Sequence, residues 1–157
     1  MVKALFPEPR SARIPLLAVT GTNGKTTTTR LIAHLVGQVH ETVGFTCTEG
    51  IYIGDRRIAT GDCSGPKSAR LVLQHPAVNA AVLETARGGI LREGLGFDRC
   101  DVGVITNIDS GDHLGSSDIE TVEQLADVKG TLVWGVAKWG TAVLNAADPL
   151  VVNMRQY

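Results

Sequence analysis

A few residues packed into one short stretch could do chemistry together: Gly21, Gly24, the amine of Lys25 and the hydroxyl of Thr26, within Gly21-Thr22-Asn23-Gly24-Lys25-Thr26-Thr27. Such a loop can hold phosphate. Its glycines let backbone N–H groups converge on an anion, and a helix beginning there adds the positive end of its dipole. In that arrangement Lys25 reaches the terminal phosphates and the Thr26 hydroxyl ligates Mg²⁺. The general pattern G-x-x-x-x-G-K-[ST] asks for a glycine or small residue at position 19, where this chain has Val19. An ordinary glycine turn would have no use for a lysine and a hydroxyl at this register.

The elements that must position this loop are legible on both sides. Ile14 to Thr20 reads as a buried β-branched strand, and the helical pattern after the loop places Leu31, Ile32, Leu35, Val36 and Val39 on one face. Thr26 to Thr29 are β-branched residues tolerable mainly in a first turn that has a ligand. Thr42–Thr48 reads as a second strand, and a short hairpin follows through Ile51–Ile53, Gly54-Asp55 and Arg57–Ala59. A helix capped by Ser64 or Gly65, with Pro66 in its first turn, runs to about Gln74. Val78–Glu84 is a buried strand followed by a loop, Thr85 to Gly89; Asp101–Asn107 is another strand. A long helix from about Asp118 to Val136 and a last strand, Thr141–Leu144, complete the order. Strands alternating with helices predict an α/β fold: a mostly parallel sheet with helices on both faces, in three layers.

In such sheets ligands bind beyond the carboxyl ends of the strands. That edge receives the phosphate loop, Glu84 after one strand, and Thr106, Asn107, Asp112 and His113 after another. A carboxylate there suits Mg²⁺, so Glu84 is a candidate metal ligand. Lys129 is out of place in a different way. It falls within the helical stripe of Val122, Leu125, Leu132, Val133 and Val136, where an amine must snorkel, shift its pKa or be modified.

Composition narrows the partners. The chain has 157 residues, 43% hydrophobic and 20% charged, with a net charge of −1, an ordinary globular balance that gives no reason to expect nucleic acid or an anionic membrane. No apolar run approaches the roughly 20 residues of a membrane span. Cys47, Cys63 and Cys100 form no C-x-x-C and read as free thiols of a reducing compartment, so a cytoplasmic location is expected. The sequence leaves the oligomeric state open, a homo-oligomer included.

These motifs together resemble the central, ATP-binding domain of the Mur ligase family, and most closely the Mur-type half of the cyanophycin synthetases. Gly21–His34, Gly50–Ile53, Gly61–Pro66, Leu83–Asp101, Gly111–Gly115 and Leu144–Pro149 carry the resemblance, which covers nearly the whole chain beyond residue 12. The phosphate loop is family-wide; the Glu84–Asp101 block is specific to the cyanophycin-synthetase type.

The resemblance implies ATP and two Mg²⁺ as cofactors. Gly21, Thr22, Asn23, Gly24, Lys25, Thr26 and Thr27 would cradle the phosphates, Thr26 and Glu84 would hold the first metal, and His113 would hold the second. Lys129 matches a lysine carbamylated in many Mur ligases, Asn145 the asparagine that reads adenine, and Asp148 belongs to the same motif; Ala147 replaces the acidic residue usual beside it. Lys25, His113 and Lys129 are thereby the expected catalytic residues. The implied reaction is ATP-dependent amide-bond formation: a carboxylate, of a polymer or a small molecule, attacks the γ-phosphate, and an amine then displaces phosphate from the acyl phosphate. In the cyanophycin-synthetase type, arginine joins the side-chain carboxylate of polymer aspartate.

Residues 1–12 are expected to form a linker and residues 13–157 the ATP-binding domain. Family members continue past this motif into a C-terminal ligase domain, so the isolated chain is expected not to turn over. Three alternatives stand beside this reading. A truncated, non-catalytic nucleotide-binding fragment is one, and a poly-γ-glutamate or folylpolyglutamate synthetase-like ligase is another. A P-loop GTPase or kinase is disfavoured, because Asn145-Ala146-Ala147-Asp148 lacks the lysine of N-K-x-D.

Overall fold

The computed structural model describes residues 13–109, 114, 115 and 119–157; the expected linker, residues 1–12, lies outside them. A single seven-stranded sheet organises the chain, in the spatial order β4-β3-β2-β5-β1-β6-β7. Its strands are β1 (Leu16–Thr20), β2 (Val43–Cys47), β3 (Gly50–Ile53), β4 (Arg56–Thr60), β5 (Ala80–Glu84), β6 (Cys100–Ile105) and β7 (Val136–Leu144). β2, β5, β1, β6 and β7 run parallel, while the hairpin strands β3 and β4 add antiparallel to one edge. The expected mostly parallel architecture is what the chain adopts.

Helices α1 (Lys25–Val36), α2 (Pro66–Leu73), α3 (Arg87–Glu93), α4 (Val122–Trp134) and α5 (Pro149–Asn153) connect or follow the strands. Strand alternation separates the two faces. Leu16, Ala18, Ala81 and Leu83 pack with Ala69 and Val72 of α2 and Leu132 of α4, whereas Leu17, Ala80 and Val82 pack with Ala33, Ile32 and Val36 of α1. A third cluster gathers Ile105, Ile108, Leu125, Ala126, Val151 and Met154 near the carboxyl end of β6.

Four local expectations change. The apolar stripe of α1 is rotated: Thr29 and Ala33 are its buried residues, while Leu31 and Leu35 are each 58% exposed and Val39, beyond the helix end, is 81% exposed. The cause is the glycine loop that leads into the helix. With Lys25 and Thr26 turned toward it, the residues one and two turns on face the sheet, and small Thr29 and Ala33 let the helix approach closely. The stretch after Thr85 is not all loop, since Arg87 begins α3. Gly89 makes that helix fit, because a Cβ there would lie 2.9 Å from Pro66 Cδ at the start of α2.

The long helix is shorter than expected. It starts at Val122 behind a capping box in which the Thr121 side chain accepts from the Gln124 N–H and the Gln124 side chain accepts from the Thr121 N–H. It stops at Trp134, before Gly135, so that Val136 opens β7 five residues ahead of its expected start. Among the described residues no helix is long and apolar enough to cross a membrane.

Candidate functional site

Parallel pairing brings the polar ends of β1, β5 and β6 to one edge. Val19 lies beside both Glu84 and Val104, so the residues that follow each strand converge above it. Two bonds tie the β1 and β5 ends: Thr20 Oγ1 donates to Thr85 O at 2.7 Å, and Thr85 N–H donates to Val19 O at 2.8 Å. Val19 itself is a fully buried strand residue. The first glycine the loop needs is therefore Gly21. Its φ is 145°, and a Cβ there would lie 1.9 Å from Thr106 Oγ1.

The loop runs into α1 through Gly24, whose φ of 80° is left-handed, and no side chain caps the helix. The first-turn N–H groups are thus open to an anion, with no acidic residue in that turn to compete. Lys25 Nζ donates to Thr22 O at 2.8 Å, folding the amine over the loop. Thr27 is exposed on the helix's outer side.

From the other side the loop is laced to the segment after β6. Asn23 N–H donates to Asn107 Oδ1 at 2.8 Å and Asn107 Nδ2 donates back to Asn23 O at 3.2 Å, a two-point clasp from one amide side chain. Thr106 Oγ1 donates to the same Asn23 carbonyl at 2.7 Å. Thr22 N–H donates to Asn107 O at 2.8 Å, and Asp109 N–H donates to Thr22 Oγ1 at 2.9 Å. Reading the sequence put Thr106 and Asn107 at this edge without a task; holding the loop is their task.

A candidate cation site lies beside the loop. Thr26 Oγ1 donates to Glu84 Oε2 at 2.8 Å and lies 2.8 Å from Thr48 Oγ1, while Thr48 N–H donates to Glu84 Oε2 at 3.2 Å. Glu84 is 2% exposed, and its other oxygen, Oε1, is buried without a hydrogen-bond partner. Burial raises the Glu84 pKa, opposed by the Thr26 and Thr48 donors and by Lys25. A buried carboxylate with one oxygen unpartnered and the other joined to the Thr26 hydroxyl, itself beside Thr48 Oγ1, fits a hard divalent cation. One carboxylate with hydroxyls, rather than a dense cluster, suits Mg²⁺ held jointly by protein and substrate phosphates. Thr48 is the residue the motif reading missed; its place directly after an apolar strand was the available signal.

Lys129 does not snorkel. It is fully buried, and its Nζ donates to Gly21 O at 2.9 Å. The amine on the apolar stripe of α4 therefore reaches the phosphate loop itself. Asp112 and His113 lie outside the described residues, so the structure describes no place for them.

Asn145 and Asp148 follow β7 at the same edge. Asn145 is exposed; its Nδ2 donates to Thr106 O at 2.9 Å and its Oδ1 accepts from Ala147 N–H at 3.0 Å. Asp148 caps α5, Oδ1 accepting from Leu150 and Val151 N–H groups, and its Oδ2 accepts from Ile108 N–H at 2.7 Å.

This arrangement has counterparts. The family model of the Mur ligase middle domain matches residues 19–157. The chain belongs to the Mur ligase middle-domain family. It is 58% identical over 150 residues to a cyanophycin synthetase of Synechocystis sp., covering 96% of this chain and 17% of that protein. A cyanophycin synthetase of Geminocystis herdmanii is 56% identical over 154 residues, covering 98% of this chain and 18% of that one. Among solved structures, a UDP-N-acetylmuramoyl-L-alanyl-D-glutamate–2,6-diaminopimelate ligase superposes with a TM-score of 0.71 at 29% identity, over 91% of this chain and 29% of its own. The chain thus spans less than a fifth of the length of the cyanophycin synthetases it matches.

Proposed function

We propose that this chain is the ATP-binding part of an ATP-dependent carboxylate–amine ligase of the cyanophycin-synthetase kind, with residues 13–157 as the domain. The observation that carries the reading is the pairing of a glycine loop and uncapped helix start with the buried Glu84 carboxylate, whose Oε2 accepts from Thr26 and whose Oε1 is without a partner.

ATP lies with its phosphates over Gly21–Thr27, held by first-turn amides and by Lys25, whose amine exchanges the Thr22 carbonyl for a phosphate oxygen. Asn145 is offered to the base. Thr26, Thr48 and Glu84 would hold Mg²⁺, whose charge would offset that on the phosphates. His113 and Lys129 belong, on the family resemblance, to a second metal position. A carbamate on Lys129 would keep an N–H able to donate to Gly21 O while presenting a carboxylate. The carboxyl substrate attacks the γ-phosphorus and ADP leaves; the amine of the added amino acid, arginine on this reading, then attacks the acyl carbon, loses its proton and releases phosphate, forming the amide.

Calorimetric titration with Mg²⁺ and a non-hydrolysable ATP analogue tests the reading, with Lys25→Ala beside the wild type. Binding by the wild type that Lys25→Ala removes supports it. A folded wild-type chain that binds nothing overturns the nucleotide site as a property of this domain.

A further inference from the structure

The carboxylate of Asp148 does two separate things. Oδ1 accepts from the Leu150 and Val151 N–H groups and caps α5, which is local. Oδ2 crosses to the segment after β6 and accepts from the Ile108 N–H at 2.7 Å, forty positions away in sequence. Ile108 sits between two residues that both hold the phosphate loop. On one side Asn107 clasps Asn23 with its side chain and takes the Thr22 N–H on its carbonyl. On the other, Asp109 N–H bonds Thr22 Oγ1. The peptide that Asp148 grips is thus the hinge of the lacing. Asn145 adds to the same grip by donating to Thr106 O.

Resting on the nucleotide reading above, we propose that Asp148 is a positioning residue for the phosphate loop. It fixes the Ile108 peptide and, through Asn107 and Asp109, the Thr22–Asn23 backbone that faces the phosphates, and it makes no contact with the adenosine. The segment after β7 thereby sets the affinity of a site built by β1 and α1. A helix cap alone needs one acceptor oxygen, and a serine would supply it. The second oxygen is what a carboxylate adds.

Asp148→Asn and Asp148→Ser separate these two tasks. Asparagine keeps one acceptor for the cap but turns an NH₂ group toward the Ile108 N–H, donor against donor. Serine caps well and is too short to reach Ile108. The probes are ATP and inorganic tripolyphosphate, each titrated with Mg²⁺ into the folded chain. The positioning role predicts that both variants lose affinity for both probes by the same factor, about two- to tenfold for one hydrogen bond. The affinity of the folded fraction is the readout, so a loss of global stability alone would not produce this pattern.

Loss confined to ATP would overturn the proposal by placing Asp148 on the adenosine, and unchanged affinity for both would also overturn it. Failure of the wild type to bind either probe would remove the nucleotide reading. The link itself would still be read by amide exchange at Thr22 and Asn23. Faster exchange in Asp148→Asn upholds the link, and unchanged exchange overturns it.

Discussion

The buried amine of Lys129 donates to the carbonyl of Gly21 at 2.9 Å, joining residues 108 positions apart. A helix residue expected among apolar neighbours is aimed instead at the first glycine of the phosphate loop. The bond ties the orientation of α4 to the shape of that loop, because Gly21 has no side chain through which it could otherwise be held.

Two substitutions at Lys129 separate volume from charge. Lys129→Ala leaves a cavity and is expected to cost about 2–5 kcal/mol, the range for truncating a long buried side chain. Lys129→Met fills most of the space while removing the amine, so its midpoint in urea should lie closer to that of the wild type than the alanine variant's does. Its affinity for ATP should nevertheless fall, as the Gly21 carbonyl is released. Equal destabilisation by alanine and methionine would show that the bond, rather than the volume, holds the helix.

Gly21→Ala should be among the most damaging single changes. The φ of 145° is strained for any side chain, and the new Cβ would meet Thr106 Oγ1 at 1.9 Å. The backbone strain alone is worth about 1–3 kcal/mol. Thr106→Ala in the same chain should recover the steric part and leave the backbone part. A double-mutant cycle by chemical unfolding measures the difference, and strict additivity would contradict the close approach.

Glu84→Gln should stabilise the metal-free chain at neutral pH while weakening its Mg²⁺-dependent nucleotide binding. Burial holds the folded pKa of Glu84 above its unfolded value. The folded state therefore binds the proton more tightly, and the associated stability is present below the unfolded pKa and lost as pH rises through the folded one. At neutral pH the buried carboxylate is a net cost, which glutamine removes; gains from relieving such sites run to about 0.5–2 kcal/mol. The order should reverse in thermal melts once Mg²⁺ and nucleotide are added, with the wild type the more stable. A glutamine variant less stable than the wild type without metal would contradict this account.

The three cysteines are buried, and burial pushes the Cys100 thiol up to about 12 and also raises that of Cys47. Neutral, buried thiols are poor nucleophiles. Alkylation with iodoacetamide at pH 8 should leave the folded chain unmodified and modify all three positions in denaturant. Rapid labelling of the native chain at Cys100 would show that β6 opens readily.

Local order determines much of this protein. Strand, glycine loop and helix follow one another within residues 16–36, a succession set by local sequence alone, so Lys25 and Thr26 stand out as candidates before any fold is known. The Thr121–Gln124 capping box and the proline-led start of α2 are equally local, because each bond closes within a single turn. The parallel sheet follows from alternation of the elements.

What tertiary structure alone decides is which distant groups meet. The face of α1 turns on the constraint from its own first residues at the loop, which leaves Leu31 and Leu35 in solvent against the apparent stripe. The helix α3 runs through Gly88-Gly89 despite their poor helix propensity, and the close approach to Pro66 that a Cβ at Gly89 would block shows only in the packed structure. Thr48 joins Thr26 and Glu84 only when β2 pairs with β5, and Asn107 clasps Asn23 only when β6 pairs with β1. Residue type and spacing name groups capable of chemistry; sheet register brings them within a hydrogen bond of one another. That register arises from burying both faces of the sheet at once, a property no single segment possesses.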